Sequence, residues 1–380
     1  MNNPFLVNGY VSATYFCDRE TEAAELIRKT TNGNNLVLIS PRRMGKTGLI
    51  NHCFFNPNIR KKYHTFYVDI YATGNMKEFV FRFGKIIFET LKPKGKKFVE
   101  NFFTTISSLR PAFKIDEITG APVFDIGIGD IRAAEYTLEE IFNYLESAGK
   151  QCIVAIDEFQ QIEKYPEKNI EAVLRTYVQR SKNVVFIFAG SRRRIMHNIF
   201  FSSSRPFYQS AALLNLEAID KEKYTAFVIK HFSEAHKKIS PELVEKIYDL
   251  FEGYTWYLQT IFNEIFSLMD KGADCTLKDL QTAINNRIAS YETLFFTTIS
   301  LLTARQKELL YAIAKEGKAS NITSGDFVKK HSLFSQSSVQ TSAKLLLDKE
   351  IITSENNVYQ VYDRFFGLWL KTVFGTGYRL

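Results

Sequence analysis

The chain runs to 380 residues, more than one hydrophobic core comfortably organises, so its length predicts two or three domains. Hydrophobic residues at 45% and charged residues at 24% are those of a folded globular protein and exclude extended disorder, and no segment approaches the roughly 20 apolar residues of a membrane span. The formal charge of +8 permits a polyanionic partner without requiring one, and Cys17, Cys53, Cys152 and Cys275 are too scattered for a zinc site or a disulfide framework.

Met1 to Ser12 carries no basic stretch followed by an apolar run, so a cytoplasmic protein with no membrane contact is expected. Four β-rich apolar runs follow, Leu36 to Ile39, Thr65 to Ile70, Cys152 to Ile156 and Val184 to Ala189, with helical patterns between them. That alternation predicts an α/β domain built on a mostly parallel sheet covered on both faces. The lysines Lys92, Lys94, Lys96 and Lys97, interrupted by Pro93 and Gly95, read as a solvated loop or a phosphate-binding patch. Alternating apolar residues on either side of Thr119-Gly120 predict a hairpin or long loop within Lys114 to Gly129.

From Lys221 to about Arg287 the pattern is helical throughout, with Tyr224, Phe227, Val228, His231 and Phe232 recurring at helical spacing. A linker is expected near Ile288 to Leu302. Beyond it come a helix through Leu309, Leu310 and Ile313, a second from Ser324 or Asp326, and a third from about Ser335 to Lys349. Ile351 to Val361, with Asn356-Asn357 at its turn, reads as a hairpin wing, so the last segment is a winged helix. The expected domains are therefore residues 1–216 for the sheet, 217–290 for a helical lid and 291–380 for the winged helix.

The strand Leu36 to Ile39 leads into Ser40-Pro41-Arg42-Arg43-Met44-Gly45-Lys46-Thr47, followed by Gly48 and a helix carrying Leu49 and Ile50. This is a P-loop pattern with Ser40 where the first glycine belongs. Backbone N–H groups over Pro41 to Gly48 would face phosphates, Lys46 would reach the β and γ oxygens of ATP, and the Thr47 hydroxyl would coordinate Mg²⁺. Gly45 lets the backbone approach the phosphate. The second strand of interest, Cys152 to Ile156, ends in Asp157-Glu158-Phe159-Gln160, at the sheet edge where open α/β folds place their ligands. Asp157 would hold the metal, usually through water, and Glu158 would orient and deprotonate the water that attacks the γ-phosphate.

With both motifs in place, the sequence resembles the AAA+-related archaeal and bacterial ATPases of the STAND group, nucleotide-controlled switches, over nearly its whole length. Tyr15-Phe16-Cys17-Asp18-Arg19-Glu20 resembles the entry motif that lies over the adenine, usually with Gly at the position of Asp18, which makes Phe16 and Arg19 candidate nucleotide contacts. Ala189-Gly190-Ser191 is similar to the strand tip that senses the γ-phosphate, with Ser191 as sensor and Arg192 as a possible second. Read on residue type alone, Ser191 could instead cap a helix, and Arg192-Arg193-Arg194 could be solvated or paired with acids. Gly253-Tyr254-Thr255-Trp256-Tyr257-Leu258-Gln259 resembles a lid segment facing the nucleotide, with Tyr254 as its candidate contact. Arg205-Pro206-Phe207-Tyr208-Gln209 is similar to a family segment but lacks the arginine that follows the tyrosine, so a phosphate-sensing arginine must be Arg205, one of Arg192 to Arg194, or missing.

Three functions compete on this reading. The first is an ATP- and ADP-controlled switch with slow Mg²⁺-dependent hydrolysis, acting on a protein partner or through self-association. The second is a DNA-binding ATPase that uses its winged helix, and the third is a non-hydrolysing nucleotide-binding scaffold. The helix carrying Gln336, Ser337, Ser338, Gln340, Thr341 and Lys344 is polar with few cations, which disfavours strong DNA binding.

Overall fold

A computed structural model of the chain describes residues 3–91, 102, 104–115, 122–124 and 133–374. The lysine-rich loop at 92–97 and the Thr119-Gly120 turn lie outside the described residues. The chain divides into two compact units, one comprising Asn8–Lys223 and the other Met1–Val7 with Tyr224–Leu380.

The first unit runs α1 (Glu20–Thr31), β1 (Leu36–Ile39), α2 (Lys46–Phe55), α3 (Pro57–Lys62), β2 (Tyr63–Asp69), α4 (Met76–Leu91), β3 (Phe113–Ile115), β4 (Pro122–Phe124), α5 (Ala134–Glu146), β5 (Gln151–Asp157), α6 (Ile170–Arg180), β6 (Val184–Gly190), α7 (Arg193–Phe201) and β7 (Ala212–Asn215). Among the described residues β2, β5, β6, β1 and β7 form, in that order, a five-stranded parallel sheet, while β3 and β4 pair as an antiparallel hairpin within the expected insertion. The four runs picked out by sequence are the four inner and outer strands β1, β2, β5 and β6. The fifth, β7, is a four-residue edge strand, too short and too weakly buried to stand out in sequence.

Burial on both faces is why these strands read as continuous apolar runs rather than alternating ones. Strand alternation sends Val37, Ile39, Val154, Ile156, Phe186 and Phe188 to one face, under α4, α5, α6 and α7. Leu36, Leu38, Ile153, Ala155, Ile187 and Ala189 go to the other, under α1, α2 and α3. The chain's many phenylalanines fill the first of these layers: Phe159, Phe188, Phe200 and Phe207 pack with ring centroids 4.7 to 5.6 Å apart beneath the end of β5.

The second unit continues with α8 (Lys221–Glu234), α9 (Pro241–Leu250), α10 (Thr255–Leu268), α11 (Leu277–Ser300), α12 (Ala304–Glu316), β8 (Ala319–Ser320), α13 (Gly325–Lys330), α14 (Gln336–Asp348), β9 (Ile352–Glu355), β10 (Val358–Val361) and α15 (Arg364–Val373). The start of the chain joins it, with Phe5 fully buried against Phe232 and Phe262 and its carbonyl accepting from Asn263. The winged helix appears as expected. Its wing turns at Asn356 and Asn357, both left-handed with φ of 50° and 61°, a backbone that asparagine tolerates better than most residues.

The linker expected near Ile288 to Leu302 is not there. Its residues up to Ser300 belong to α11, a continuous helix of 24 residues. A capping box between Thr276 and Asp279 starts it, no glycine or proline interrupts it, and Phe295 and Ile299 near its end are buried.

Arg364 ties the start of α15 to the segment before α10. Its guanidinium reaches Glu252 Oε2 at 3.2 Å, Gln360 Oε1 at 2.8 Å and the Val361 carbonyl at 2.8 Å, and lies 5.0 Å from the centre of the Tyr254 ring. Its backbone N–H donates to the Tyr257 hydroxyl at 3.1 Å. Removing this mostly buried cation leaves the Glu252 carboxylate without its guanidinium partner. Arg364→Ala is therefore expected to lower the unfolding free energy of this unit by about 2 kcal/mol in a urea titration.

Candidate nucleotide-binding site

The P-loop hangs between the centre of the sheet and a helix start. β1 is buried along its length between β6 and β7, with Ile39 level with Gly190 and Asn215. Ser40 extends the strand pairing through its N–H to the Gly190 carbonyl, and its hydroxyl donates to the Pro41 carbonyl at 2.8 Å. Left-handed backbone falls on Arg43, at φ 71°, and Gly45, at φ 88°, so position 40 accommodates a side chain where the motif prefers glycine. Gly45 is the N-cap of α2, which puts Lys46, Thr47 and Gly48 in its first turn.

β5 delivers the carboxylates. After Asp157 the chain turns sharply: Glu158 sits at φ 57°, ψ 39°, left-handed for a residue with a side chain, and a 3₁₀ turn follows from Phe159 to Lys164. The Lys46 ammonium lies 2.7 Å from Asp157 Oδ1 and 3.2 Å from Glu158 Oε1. The Thr47 hydroxyl donates to Asp157 Oδ2 at 3.1 Å. Ser191, just past the end of β6, donates to Glu158 Oε2 at 2.8 Å rather than capping α7, whose N-cap is Arg192. The structure thus brings Lys46, Thr47, Asp157, Glu158 and Ser191 into one cluster.

Burial opposes ionisation of Asp157. The Lys46 ammonium and hydrogen bonds from Lys46, Tyr67 and the Glu158 N–H outweigh it and hold this carboxyl below the usual carboxylate range. Asp69, level with Asp157 at the end of β2, is shifted the other way by its own burial and by the charges of Asp157 and Glu158. Thr47 and Asp157 present hard oxygen donors to one point, a donor set that fits Mg²⁺, which takes few protein ligands and keeps most of its water.

Two residues here carry no sequence signal of their own. Tyr67, on β2, donates its hydroxyl to Asp157 Oδ2 and lies 3.3 Å from the Thr47 hydroxyl. Burial, then the Asp157 charge, pushes its phenol up and keeps the proton in place. Gln160 was visible only as the last letter of the acidic motif, yet its amide donates to Glu158 Oε2.

The remaining candidates have other surroundings. Arg19 is buried with φ 77° and binds Glu22 at 2.7 Å, the Glu217 carbonyl at 2.6 Å and the Met44 carbonyl at 3.4 Å, so it supports the P-loop from behind. Asp18 before it is also left-handed, φ 50°, which gives the physical reason for the glycine that the resemblance expects there. Phe16 stacks on His52 of α2 with centroids 4.4 Å apart, and a Cβ on Gly48 would touch its ring at 3.4 Å. The Arg42 guanidinium lies 5.7 Å from the centre of the Tyr71 ring, and Arg193 pairs with Glu217 at 3.0 Å. Arg205 is gripped by Glu163 and Glu171. Tyr254 belongs to the other unit, against Arg364. Burial pushes the thiols of Cys17, Cys53 and Cys275 up to about 12, so they stay protonated near neutrality.

Comparison with known proteins gives the family and the fold. Residues 293–372 match the family described as "Probable winged helix domain". A protein of Methanocaldococcus jannaschii named as an uncharacterized ATP-binding protein is 28% identical over 162 residues, 40% of this chain and 45% of that protein, so the match spans less than half of its length. Among solved structures, the Walker-type ATPase of Pyrococcus abyssi has a similar fold at a TM-score of 0.66 and 18% identity, covering 97% of this chain and 99% of that one. The ORC2 protein of Aeropyrum pernix, solved in ADPNP and ADP complexes, follows at 0.59 and 12%, covering 97% and 96%. Residues 16–261, well over half of the chain, match the family described as "ATPase domain predominantly from Archaea", and the chain belongs to that family.

Proposed function

We propose that this protein is a nucleotide-dependent switch of the AAA+-like STAND kind that binds ATP with Mg²⁺ and hydrolyses it slowly. One observation supports this most: the convergence of Lys46 and Thr47 from the P-loop with Asp157, Glu158 and Ser191 from two other strand ends. Lys46 contacts the β and γ oxygens, and N–H groups from Arg42 to Gly48 cradle the phosphates, with Pro41 shaping the start of the loop. Thr47 and Asp157 hold the ion, which when bound neutralises charge on the phosphate oxygens. Glu158 takes the proton of the attacking water, and Ser191 senses the γ-phosphate. Phe16 and Tyr254 are the proposed contacts to the base side of the nucleotide, and Arg192 is a second sensor. Arg205 is the weaker sensor candidate because it is committed to two carboxylates.

Within the second unit, the proposed division is a helical lid to about residue 290 and a winged helix beyond it, with a protein partner or a second copy as the target. The exposed side of α14 carries Gln336, Ser337, Gln340, Thr341 and Lys344, and Asp348 offsets the positive charge of Lys344 and Lys349. Phosphate neutralisation dominates DNA affinity, so a face this poor in cations suits a protein contact better. No helix among the described residues is long and apolar enough to cross a membrane.

Four outcomes are expected. Lys46→Ala weakens ATP binding by about tenfold to a hundredfold in calorimetry, since it removes a charge-assisted contact to the phosphates, and it also lowers the stability of the first unit because Asp157 loses its buried counter-charge. Duplex DNA binding near physiological salt is weak, and Lys344→Ala changes it little. A sub-micromolar complex that Lys344→Ala disrupts would put the DNA-binding reading first. Asp157→Asn lowers Mg²⁺–ATP affinity together with turnover, whereas Glu158→Gln still binds ATP and loses about 10²-fold in rate. Limited proteolysis of ATP-loaded Glu158→Gln is expected to differ from that of the ADP form. Identical cleavage in the two states, with ATP occupancy verified, would favour the static scaffold.

A further inference from the structure

Among the described residues three donors hold the Glu158 carboxylate. Lys46 reaches Oε1 at 3.2 Å, Ser191 reaches Oε2 at 2.8 Å, and the Gln160 amide nitrogen donates to Oε2 as well. Under the function proposed above, the first two have a competing task, because both are aimed at the γ-phosphate. A phosphate that engages Lys46 and Ser191 takes away two of the three groups that fix the direction of Glu158.

Gln160 is built differently from the other two. It stands two residues after Glu158 in the 3₁₀ turn, is 6% exposed, and follows the fully buried Phe159. Facing a carboxylate, the amide must present its nitrogen, since its oxygen would be repelled. That orientation turns Oε1 into the interior, where it has no hydrogen-bond partner among the described residues. An unmet buried acceptor is costly, and the contact to Glu158 is what offsets it. The space for this amide comes from the last residue of β6. A Cβ on Gly190 would collide with Gln160 Oε1 and with the Met196 side chain. A strand tip without a side chain, a buried amide and a left-handed Glu158 therefore form one arrangement.

We propose that Gln160, seated by Gly190, is the positioning residue that keeps Glu158 directed at the attacking water once Lys46 and Ser191 have turned to the γ-phosphate. Its amide nitrogen also lies 3.5 Å from the Ser191 hydroxyl, at the limit of a hydrogen bond, but its close contact is with Glu158, and it acts by holding that carboxylate. The proposal rests on the ATPase reading, and the test separates the two.

Gln160→Met removes the donor at similar size, and Gln160→Glu keeps the shape but sets a second carboxylate beside Glu158. Both are expected to lower kcat by about tenfold or more, the scale of one hydrogen bond to a charged group, with KM and calorimetric ATP affinity within twofold of wild type. In a Glu158→Gln background, Gln160→Met should lower kcat no further, because the carboxylate it positions is gone. A normal kcat in both single variants, a parallel rise in KM, or an additive loss in the double variant would overturn the role of Gln160 while leaving the ATPase reading in place. Wild-type hydrolysis by Glu158→Gln alone would overturn the base assignment and this proposal with it.

Discussion

The Lys46 ammonium, held between Asp157 and Glu158, is the contact on which the arrangement of the first unit turns. Lys46 is 8% exposed, and a cation at that depth is tolerable only when paired. Its partners sit on β5, which is separated from β1 in the sheet by β6, so the pairing ties the P-loop to a strand that β1 does not touch. Everything at the tip of β6 must then fit under that bridge. Ser191 does so by donating to Glu158, and Gly190 does so by having no side chain.

The same constraint gives Asp157 and Glu158 different environments one residue apart. Asp157 stays in line with its strand and takes bonds from Lys46, Thr47, Tyr67 and a backbone N–H, which keep it ionised despite burial. Glu158 leaves the strand through a left-handed turn, and its side chain points toward Ser191 and Gln160 instead. Adjacent acids thereby acquire separate directions, one suited to holding a cation and the other to receiving a proton.

Much of this was legible in the sequence because the signals are local. The P-loop is eight consecutive residues, the acidic strand end follows a continuous apolar run, and the wing announces itself through Asn356-Asn357. Tyr67 was not legible, because its importance comes from strand register, with β2 lying beside β5 so that a tyrosine reaches an aspartate 90 residues away. The surroundings of Arg19 were not legible for a related reason. Its position in the entry motif suggested nucleotide contact, while its burial against the Met44 and Glu217 carbonyls depends on chain segments far apart in sequence. The expected linker before Leu302 is helix up to Ser300 because the stretch holds no glycine or proline and buries Phe295 and Ile299, so a well-capped helix continues through it.

That helix has a mechanical consequence. At 24 residues α11 is about 36 Å long, and its middle and its last turns serve different neighbours. Toward its middle Asn286 bonds Glu264 of α10, and near its end Phe295 packs on Phe366 and Trp369 of α15. Bending such a rod between these grips would break backbone hydrogen bonds that nothing else nearby can replace. With Arg364 providing a second brace between Glu252 and α15, the helices before α11 and the winged helix are held together at two places. A displacement of α10 is therefore carried to the winged helix through one continuous helix rather than taken up by a loop.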